Sequence, residues 1–215
     1  MNQSEYDDDF MVRGLVESDI PELLRLEDEK WGPHGATRKM LASRIALLEG
    51  YCWGAFRGDV LVSSLFCMRR SERSILEAKT WAQACDNGLA SSHDVSQGAV
   101  FGISLTGSDL KGTRAILDRL ALELKFEGIS AVYLGTPLPR LGDWLDANPD
   151  GDPASYAAKI KLFPDGRRLP IDPQLSYYYQ LGFRTVVAVR PHYFPHERSR
   201  DWAAVIRHVV NLGAV

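Results

Sequence analysis

The sequence predicts an α/β fold, in which a mixed and mostly antiparallel central sheet contains a parallel strand–helix–strand core and is flanked by helices. The core is indicated by an apolar run at 99–104, a polar turn, a helical pattern that ends at Gly128, and a second apolar run at 129–134. An antiparallel hairpin is indicated by the apolar runs 51–56 and 60–68, which flank a tight Arg-Gly-Asp turn.

Helix-capping signals place the other helices. In the first helix, Asp19 and Glu22 have the spacing of a capping box. A second helix starts near Thr37 and carries apolar residues at helical spacing. Near the C-terminus, Asp172 and the proline after it predict a short helix that stops at Gly182 and leads into the last two strands.

The chain is expected to form a single domain at 10–215, preceded by a disordered polar tail at 1–9. Its 215 residues, of which 45% are hydrophobic, are ordinary for one domain. Two long polar segments, 69–98 and 137–171, interrupt the pattern as insertions, with short helical pieces predicted at places such as 154–161. Loops this long in a compact domain are usually functional or disordered, so both insertions are candidates for lining a pocket.

Composition argues against several classes of function. The net charge is −3 and no basic stripe is visible, so we do not expect nucleic-acid binding. Three cysteines without a Cys-x-x-Cys pair argue for a reducing compartment and against a metal site. No apolar run approaches the ~20 residues of a membrane span, and the acidic N-terminus does not resemble a signal peptide. We therefore expect a cytoplasmic protein with no metal and no membrane partner.

The turn from Leu105 to Arg114 has the composition of an anion site. It holds two glycines, three hydroxyl side chains and the cations Lys111 and Arg114. Glycine lets the backbone fold so that several N–H groups point at one spot, and the helix N-terminus behind it adds about half a positive charge. Phosphate is the natural ligand of such a site. The alternative is an ordinary strand-to-helix connection, where Gly and Ser are common.

Two motifs and the order of the elements resemble the GCN5-related N-acetyltransferase (GNAT) superfamily. Residues 109–114, Asp-Leu-Lys-Gly-Thr-Arg, are similar to its acyl-CoA loop, [Q/R]-x-x-G-x-[G/A]; Gly112 matches, whereas Asp109 and Arg114 depart from the pattern. Residues 178–183, Tyr-Tyr-Gln-Leu-Gly-Phe, match its Y-x-x-x-G-F helix end. The insertions after the third and fifth strands resemble a stand-alone subgroup of the superfamily whose acceptors are mostly unassigned.

The resemblance implies acetyl-CoA or another acyl-CoA as cosubstrate. Backbone N–H groups of the turn would bind the pyrophosphate, and the end of the preceding strand would run beside the pantetheine arm. The implied cofactor-binding residues are Leu105, Thr106, Lys111, Gly112, Thr113 and Arg114. Tyr178 would protonate the departing CoA thiolate, because an unperturbed tyrosine pKa near 10 suits a donor at neutral pH.

Four further residues are candidates for the acceptor side. Thr136 follows the fifth strand, where the resemblance places the reacting groups, although a threonine at a strand end is often only a turn residue. The candidate substrate-binding residues are Trp31 after the first helix, and Trp81 and His93 in the first insertion. The general base is not identified: the acidic run at 27–29 is a candidate, but such a run is more often a solvated face.

Three hypotheses remain. The first is an acyl-CoA-dependent N-acyltransferase that acetylates an amine of a small molecule by direct transfer in a ternary complex. The second is a GNAT-like malonyl-CoA decarboxylase that passes the acyl group to a carrier-protein thiol; the resemblance to that group implies a histidine near the fourth helix of the GNAT fold, where this chain has tyrosines at 177–179. The third is a non-catalytic CoA-binding module. The sequence does not determine the oligomeric state, and a homodimer is one of the alternatives.

Overall fold

A computed structural model describes residues 10–210, in which seven strands form one sheet and two more form a small hairpin. The strands are β1 (Met11–Gly14), β2 (Cys52–Arg57), β3 (Val60–Arg70), β4 (Ala99–Gly107), β5 (Ala131–Pro137), β6 (Ile160–Leu162), β7 (Arg168–Pro170), β8 (Thr185–Arg190) and β9 (Ala203–Val209). The α-helices are α1 (Ile20–Trp31), α2 (Arg38–Leu47), α3 (Glu72–Glu77), α4 (Trp81–Ala84), α5 (Leu110–Phe126), α6 (Leu141–Ala147), α7 (Pro153–Ala157) and α8 (Pro173–Gln180). The tail expected at 1–9 lies outside the described residues.

The sheet confirms the predicted fold class. Its strand order is β1-β2-β3-β4-β5-β9-β8, and every neighbouring pair is antiparallel except the parallel pair β4–β5. That pair is joined by α5, as the strand–helix–strand pattern predicted. Its register runs only from Ala99 opposite Ala131 to Gly102 opposite Leu134. Beyond Gly102 the two strands separate, although β4 stays paired with β3 and β5 with β9.

Capping residues account for most helix starts. Thr37 accepts a hydrogen bond from the backbone N of Met40 (3.3 Å), and Asp172 accepts from the backbone N of Gln174 (3.0 Å), so both predicted caps are confirmed. The capping box predicted at Asp19 is wrong. The Asp19 carboxylate is turned to Arg13, which donates to it at 2.7 Å, and that ion pair holds its pKa below the ordinary range.

The two insertions are ordered and contain regular elements. Residues 69–98 carry α3 and α4, while residues 137–171 carry α6, α7 and the hairpin β6–β7. The helical piece predicted at 154–161 is therefore partly wrong, because α7 ends at Ala157 and a strand begins at Ile160. Among residues 10–210, no helix is both long and apolar enough to cross a lipid bilayer.

Candidate functional site

A pocket of about 570 Å³ lies where β4 and β5 separate. Its walls come from α1, α2, α4, α5, α8, the strands β3 to β5 and the loop after β8. The end of β4, at 103–107, borders this pocket over most of its length and has no strand paired to its β5 side. The opening in the sheet therefore presents main-chain groups as well as side chains to a bound molecule.

Tyr178 lines the pocket from the short helix α8 and is buried. Its ring packs edge-on against Tyr177 and Phe183, with centroid distances of 5.2 and 5.8 Å. Burial raises the pKa of the Tyr178 hydroxyl to about 12, with Tyr177 adding to the rise and a hydrogen bond to Gln174 opposing it. The phenol therefore stays protonated throughout the neutral range and can act only as a donor there.

A buried hydrogen-bond chain joins α1 to β4 at the pocket wall. The Thr106 hydroxyl donates to Glu27 Oε1 (2.7 Å) and accepts from Trp31 Nε1 (2.9 Å). The other carboxylate oxygen of Glu27 accepts from the backbone N of Ala36 (2.8 Å). Glu27 is 3% exposed, whereas the adjacent Asp28 is exposed. One member of the acidic run at 27–29 is thus part of the wall rather than of a solvated face.

Trp81 brings the first insertion into the same pocket. Its indole Nε1 donates to the carbonyl of Ile103 (2.8 Å), within the stretch of β4 that borders the opening. Leu105 and Trp31 also line the pocket, and the Trp31 ring is 44% exposed at its mouth. The structure therefore gathers five of the residues predicted for cofactor, substrate or catalysis: Leu105, Thr106, Trp31, Trp81 and Tyr178.

In the turn predicted to bind phosphate, the side chain of Asp109 occupies backbone amides that a phosphate would need. The Asp109 carboxylate accepts from the backbone N of Lys111 (2.8 Å) and of Gly112 (3.0 Å), as an N-cap of α5. Arg57 pairs with the same carboxylate at 3.0 Å. The hydrogen bond from the Gly112 N–H and burial act in opposite senses on the Asp109 pKa, which lies below its ordinary value. An anionic side chain thus occupies two of the amides, those of Lys111 and Gly112, that the sequence assigned to pyrophosphate.

The remaining predicted turn residues divide between the protein interior and the surface. Gly112 and Thr113 are buried, and the Thr113 hydroxyl bonds Ser63 Oγ (2.8 Å). Lys111 is exposed, and the exposed Arg114 pairs with Asp118 at 3.0 Å. Side-chain cations are therefore present at this end of α5, but the preformed amide cradle is not free in this conformation.

Besides the turn residues at 111–114, two further predicted residues, Thr136 and His93, are not among those that line the pocket. Thr136 is buried, and its Oγ1 donates only a long 3.4 Å bond to the carbonyl of Pro137. Its strand neighbours Leu134, Gly135 and Pro137 line the pocket, but Thr136 is not among the described residues that do. His93 accepts a hydrogen bond from the backbone N of Arg69 (3.0 Å) and packs edge-on against Tyr51. It is not among the described residues that line the pocket.

Arg44 and His196 are pocket-lining residues that the sequence did not assign to the site. Arg44 lies on α2 and is 1% exposed, in a stretch whose polar residues gave no sign of burial. His196 lies in the loop after β8, where its Nδ1 accepts from the backbone N of Ser199 (3.2 Å). Burial, with Arg198 as a smaller cause, lowers the pKa of His196. Nothing local in the sequence distinguishes either residue from a surface residue.

No family model and no curated protein matches this sequence. Solved structures do match. The GphF GNAT-like decarboxylase in complex with isobutyryl-CoA has a TM-score of 0.74 at 19% identity, covering 93% of this chain and 99% of that one. The loading GNATL domain of CurA from Lyngbya majuscula has a TM-score of 0.75 at 17% identity, covering 94% and 98%.

Acetyltransferases are also similar in structure, with lower scores. The ribosomal-protein-S18-alanine N-acetyltransferase from Escherichia coli has a TM-score of 0.58 at 13% identity, covering 95% of this chain and 96% of that one. At such identities the likeness concerns the fold alone. The fold implied by the two sequence motifs is confirmed.

Proposed function

We propose that this chain, which has the GNAT fold, is an acyl-CoA-dependent N-acyltransferase that moves an acetyl group from acetyl-CoA to an amine of a small molecule. The observation that carries the proposal is the buried phenol of Tyr178 on a pocket that opens between two separating strands. A proton donor in an enclosed space beside a free strand edge suits transfer from a thioester better than simple binding.

The donor's pantetheine arm would lie along the free side of β4. An extended arm with two amide groups can pair with strand main chain much as an added β-strand does. Residues 103–107 supply that edge and all line the pocket, including the sequence-predicted Leu105 and Thr106. Backbone N–H groups at this edge are also the candidates to stabilise the oxyanion of the tetrahedral intermediate.

The reaction conserves atoms and charge without further reagents. The neutral amine attacks the thioester carbonyl, a C–N bond forms, and the C–S bond then breaks to release CoA. The Tyr178 pKa of about 12 lies above that of an ordinary thiol, ~8.5. Complete proton transfer from Tyr178 to sulfur is therefore uphill, and its hydroxyl serves as a hydrogen-bond donor to the leaving sulfur. The proton that the amine loses neutralises the thiolate through solvent.

Glu27 is placed to position other groups rather than to act as the base. Both of its oxygens already accept hydrogen bonds, from Thr106 and from the backbone of Ala36. Through Thr106 it fixes the indole of Trp31 at the pocket mouth. The amine would then lose its proton to water in the pocket, and the rate would derive mainly from positioning the amine against the thioester.

A second candidate function is decarboxylation of malonyl-CoA, in which the C–C bond to the carboxylate breaks, CO2 leaves and the carbanion takes a proton. Two observations favour it: the GNAT-like decarboxylase and the loading domain have TM-scores of 0.74 and 0.75, against 0.58 for the E. coli acetyltransferase, and His196 lines the pocket. The tyrosines at 177–179, where the sequence comparison implied a histidine, speak against it.

Thermal unfolding with acetyl-CoA, malonyl-CoA, free CoA and no ligand tests the proposal. A ligand at ~100 times its dissociation constant adds about 2.7 kcal/mol, which raises Tm by several degrees in a domain of this size. Stabilisation by acetyl-CoA, followed by CoA release with members of an amine panel, would support acyl transfer. CO2 release from malonyl-CoA that is lost in His196→Gln would favour the second candidate, and no stabilisation by any CoA species would refute both.

A further inference from the structure

Arg44 is a buried cation on the pocket without a carboxylate partner. It is 1% exposed, and no carboxylate of residues 10–210 lies within ion-pair distance of its guanidinium. Burial lowers the pKa of Arg44, and the buried carboxylate of Glu27, which makes no ion pair with it, opposes that shift. A guanidinium remains charged in proteins. A buried charge is costly unless it is paired, so this arrangement needs an explanation.

Protein groups engage only part of the guanidinium. Its Nε donates to the carbonyl of Gly88 (2.8 Å), and one terminal nitrogen donates to Ser104 Oγ (3.2 Å), while the Phe66 ring lies 5.3 Å from its central carbon. Two of the five N–H donors are thereby accounted for by protein acceptors, both of them uncharged. The other buried charge of the wall, Glu27, has both oxygens engaged elsewhere.

The first insertion is shaped to hold this guanidinium in place. Asp86, Asn87 and Ala90 all have φ between 56° and 57°, and Gly88 has φ 79°, so four residues of one short loop are left-handed. Such conformations in non-glycine residues store strain and persist where the surroundings fix them. A Cβ at Gly88 would lie 2.8 Å from an Arg44 terminal nitrogen, so only glycine permits this approach.

We propose that Arg44 and the Ser104 hydroxyl form a subsite for a carboxylate of the substrate. The planar guanidinium offers paired N–H donors that match a carboxylate, and Ser104, which accepts from Arg44, keeps its own O–H to donate. Both residues line the pocket that opens between β4 and β5. The proposal rests on the acyltransferase function and narrows its substrate class. The carboxylate belongs either to the acceptor, as in an amino acid, or to the acyl group, as in a dicarboxylic acyl-CoA.

Two matched substrate arms distinguish these sources. One arm compares α-amino acids with their amides, using acetyl-CoA as donor. The other compares malonyl-CoA and succinyl-CoA with acetyl-CoA and butyryl-CoA, measured by titration calorimetry and by CoA release. We expect a preference in only one of the two arms, the one that contains the true source of the carboxylate. In that arm the carboxylated compound should be preferred about 10- to 100-fold over its neutral partner, the range of charge-assisted hydrogen bonds.

The variants Arg44→Gln, Arg44→Lys and Ser104→Ala test the assignment, with the exposed Arg38→Gln as the control on the same helix. Arg44→Gln should abolish the preference, because KM should rise far more for the carboxylated member than for the neutral member. Arg44→Lys and Ser104→Ala should each retain part of it, and these two keep the test valid if Arg44→Gln does not fold. Equal loss for carboxylated and neutral members, or no preference in the native protein, would overturn the subsite alone. Failure of every thioester to bind would overturn the acyltransferase proposal as well.

Discussion

The two ends of the candidate site differ in how far apart in the sequence their residues lie. At the N-terminus of α5, a local turn holds cations and amides within six residues, but Asp109 closes the amides with its own carboxylate. At the wall between α1 and β4, Glu27, Thr106 and Trp31 come from distant parts of the chain and converge on the pocket. The comparison teaches that a local motif can satisfy its own amides, whereas residues far apart in the sequence can converge on the pocket wall.

The largest effect is expected at Tyr178, whose hydroxyl the proposed reaction assigns to the leaving sulfur. Tyr178→Phe keeps the ring contacts with Tyr177 and Phe183 but removes the hydroxyl. We expect kcat to fall about 10²- to 10³-fold, as for loss of one hydrogen-bond donor to charge that develops in the transition state, with little change in KM for acetyl-CoA. CoA release under saturating acceptor measures it, with Tyr179→Phe on the same helix as the control. Equal kcat in the two variants would remove Tyr178 from the mechanism.

The next largest effect tests whether the hydrogen bonds between α1 and β4 at the pocket wall stabilise the fold. Glu27→Ala would leave the N–H of Ala36 and the hydroxyl of Thr106 without their acceptor in a buried place. Because each unsatisfied buried group costs about 1–3 kcal/mol, we expect a loss of about 2–4 kcal/mol in unfolding free energy by urea denaturation. Asp28→Ala, one residue along and exposed, should change it by less than about 0.5 kcal/mol. Similar losses in both variants would mean that the chain of hydrogen bonds contributes nothing specific.

A smaller and opposite effect is expected at the self-closed turn. Asp109→Asn keeps a good N-cap but removes the negative charge beside the amides of Lys111 and Gly112. We expect CoA to bind about 2- to 5-fold more tightly, the range of one charge at a helix N-terminus, while acetyl-pantetheine, which lacks the diphosphate, binds unchanged. Titration calorimetry measures both, and Asp118→Asn later in α5 is the control. An unchanged CoA affinity would show that the diphosphate does not approach this turn.

Much of the fold could be predicted because its signals are local and repeated. The seventeen-residue α5 has a sustained apolar face, the hairpin β2–β3 turns at Gly58 with φ 59°, and α8 has a strong cap at Asp172. The hairpin β6–β7 was missed because three-residue strands are too short to show alternation. Asp19 was misassigned because its competing partner, Arg13, is a tertiary neighbour rather than a helix amide.

The sequence predicted several pocket residues, including Tyr178, Trp31 and Trp81, but not the burial of the charged residues in the pocket wall. Tyr178 belongs to a contiguous motif, whereas the burial of Glu27 depends on Thr106, 79 residues away. Arg44 is likewise buried by a loop from an insertion, through Gly88 at a separation of 44 residues. A polar residue on an otherwise amphipathic helix is assigned to solvent by periodicity alone, because the partners that bury it are not neighbours in sequence.

The smallest effect is expected at His93, which the sequence placed with the substrate and the structure ties to the sheet instead. Its Nδ1 accepts from the N–H of Arg69, and burial, with the Arg69 charge as a further cause, lowers the pKa of His93. A depressed histidine pKa contributes stability that is present above the unfolded value of ~6.5 and is lost as the pH falls through the folded value. Tm should therefore fall less between pH 8 and pH 5 in His93→Gln than in the native protein. If His93→Gln instead keeps the native slope and weakens acceptor binding, the residue belongs to the ligand and not to the scaffold.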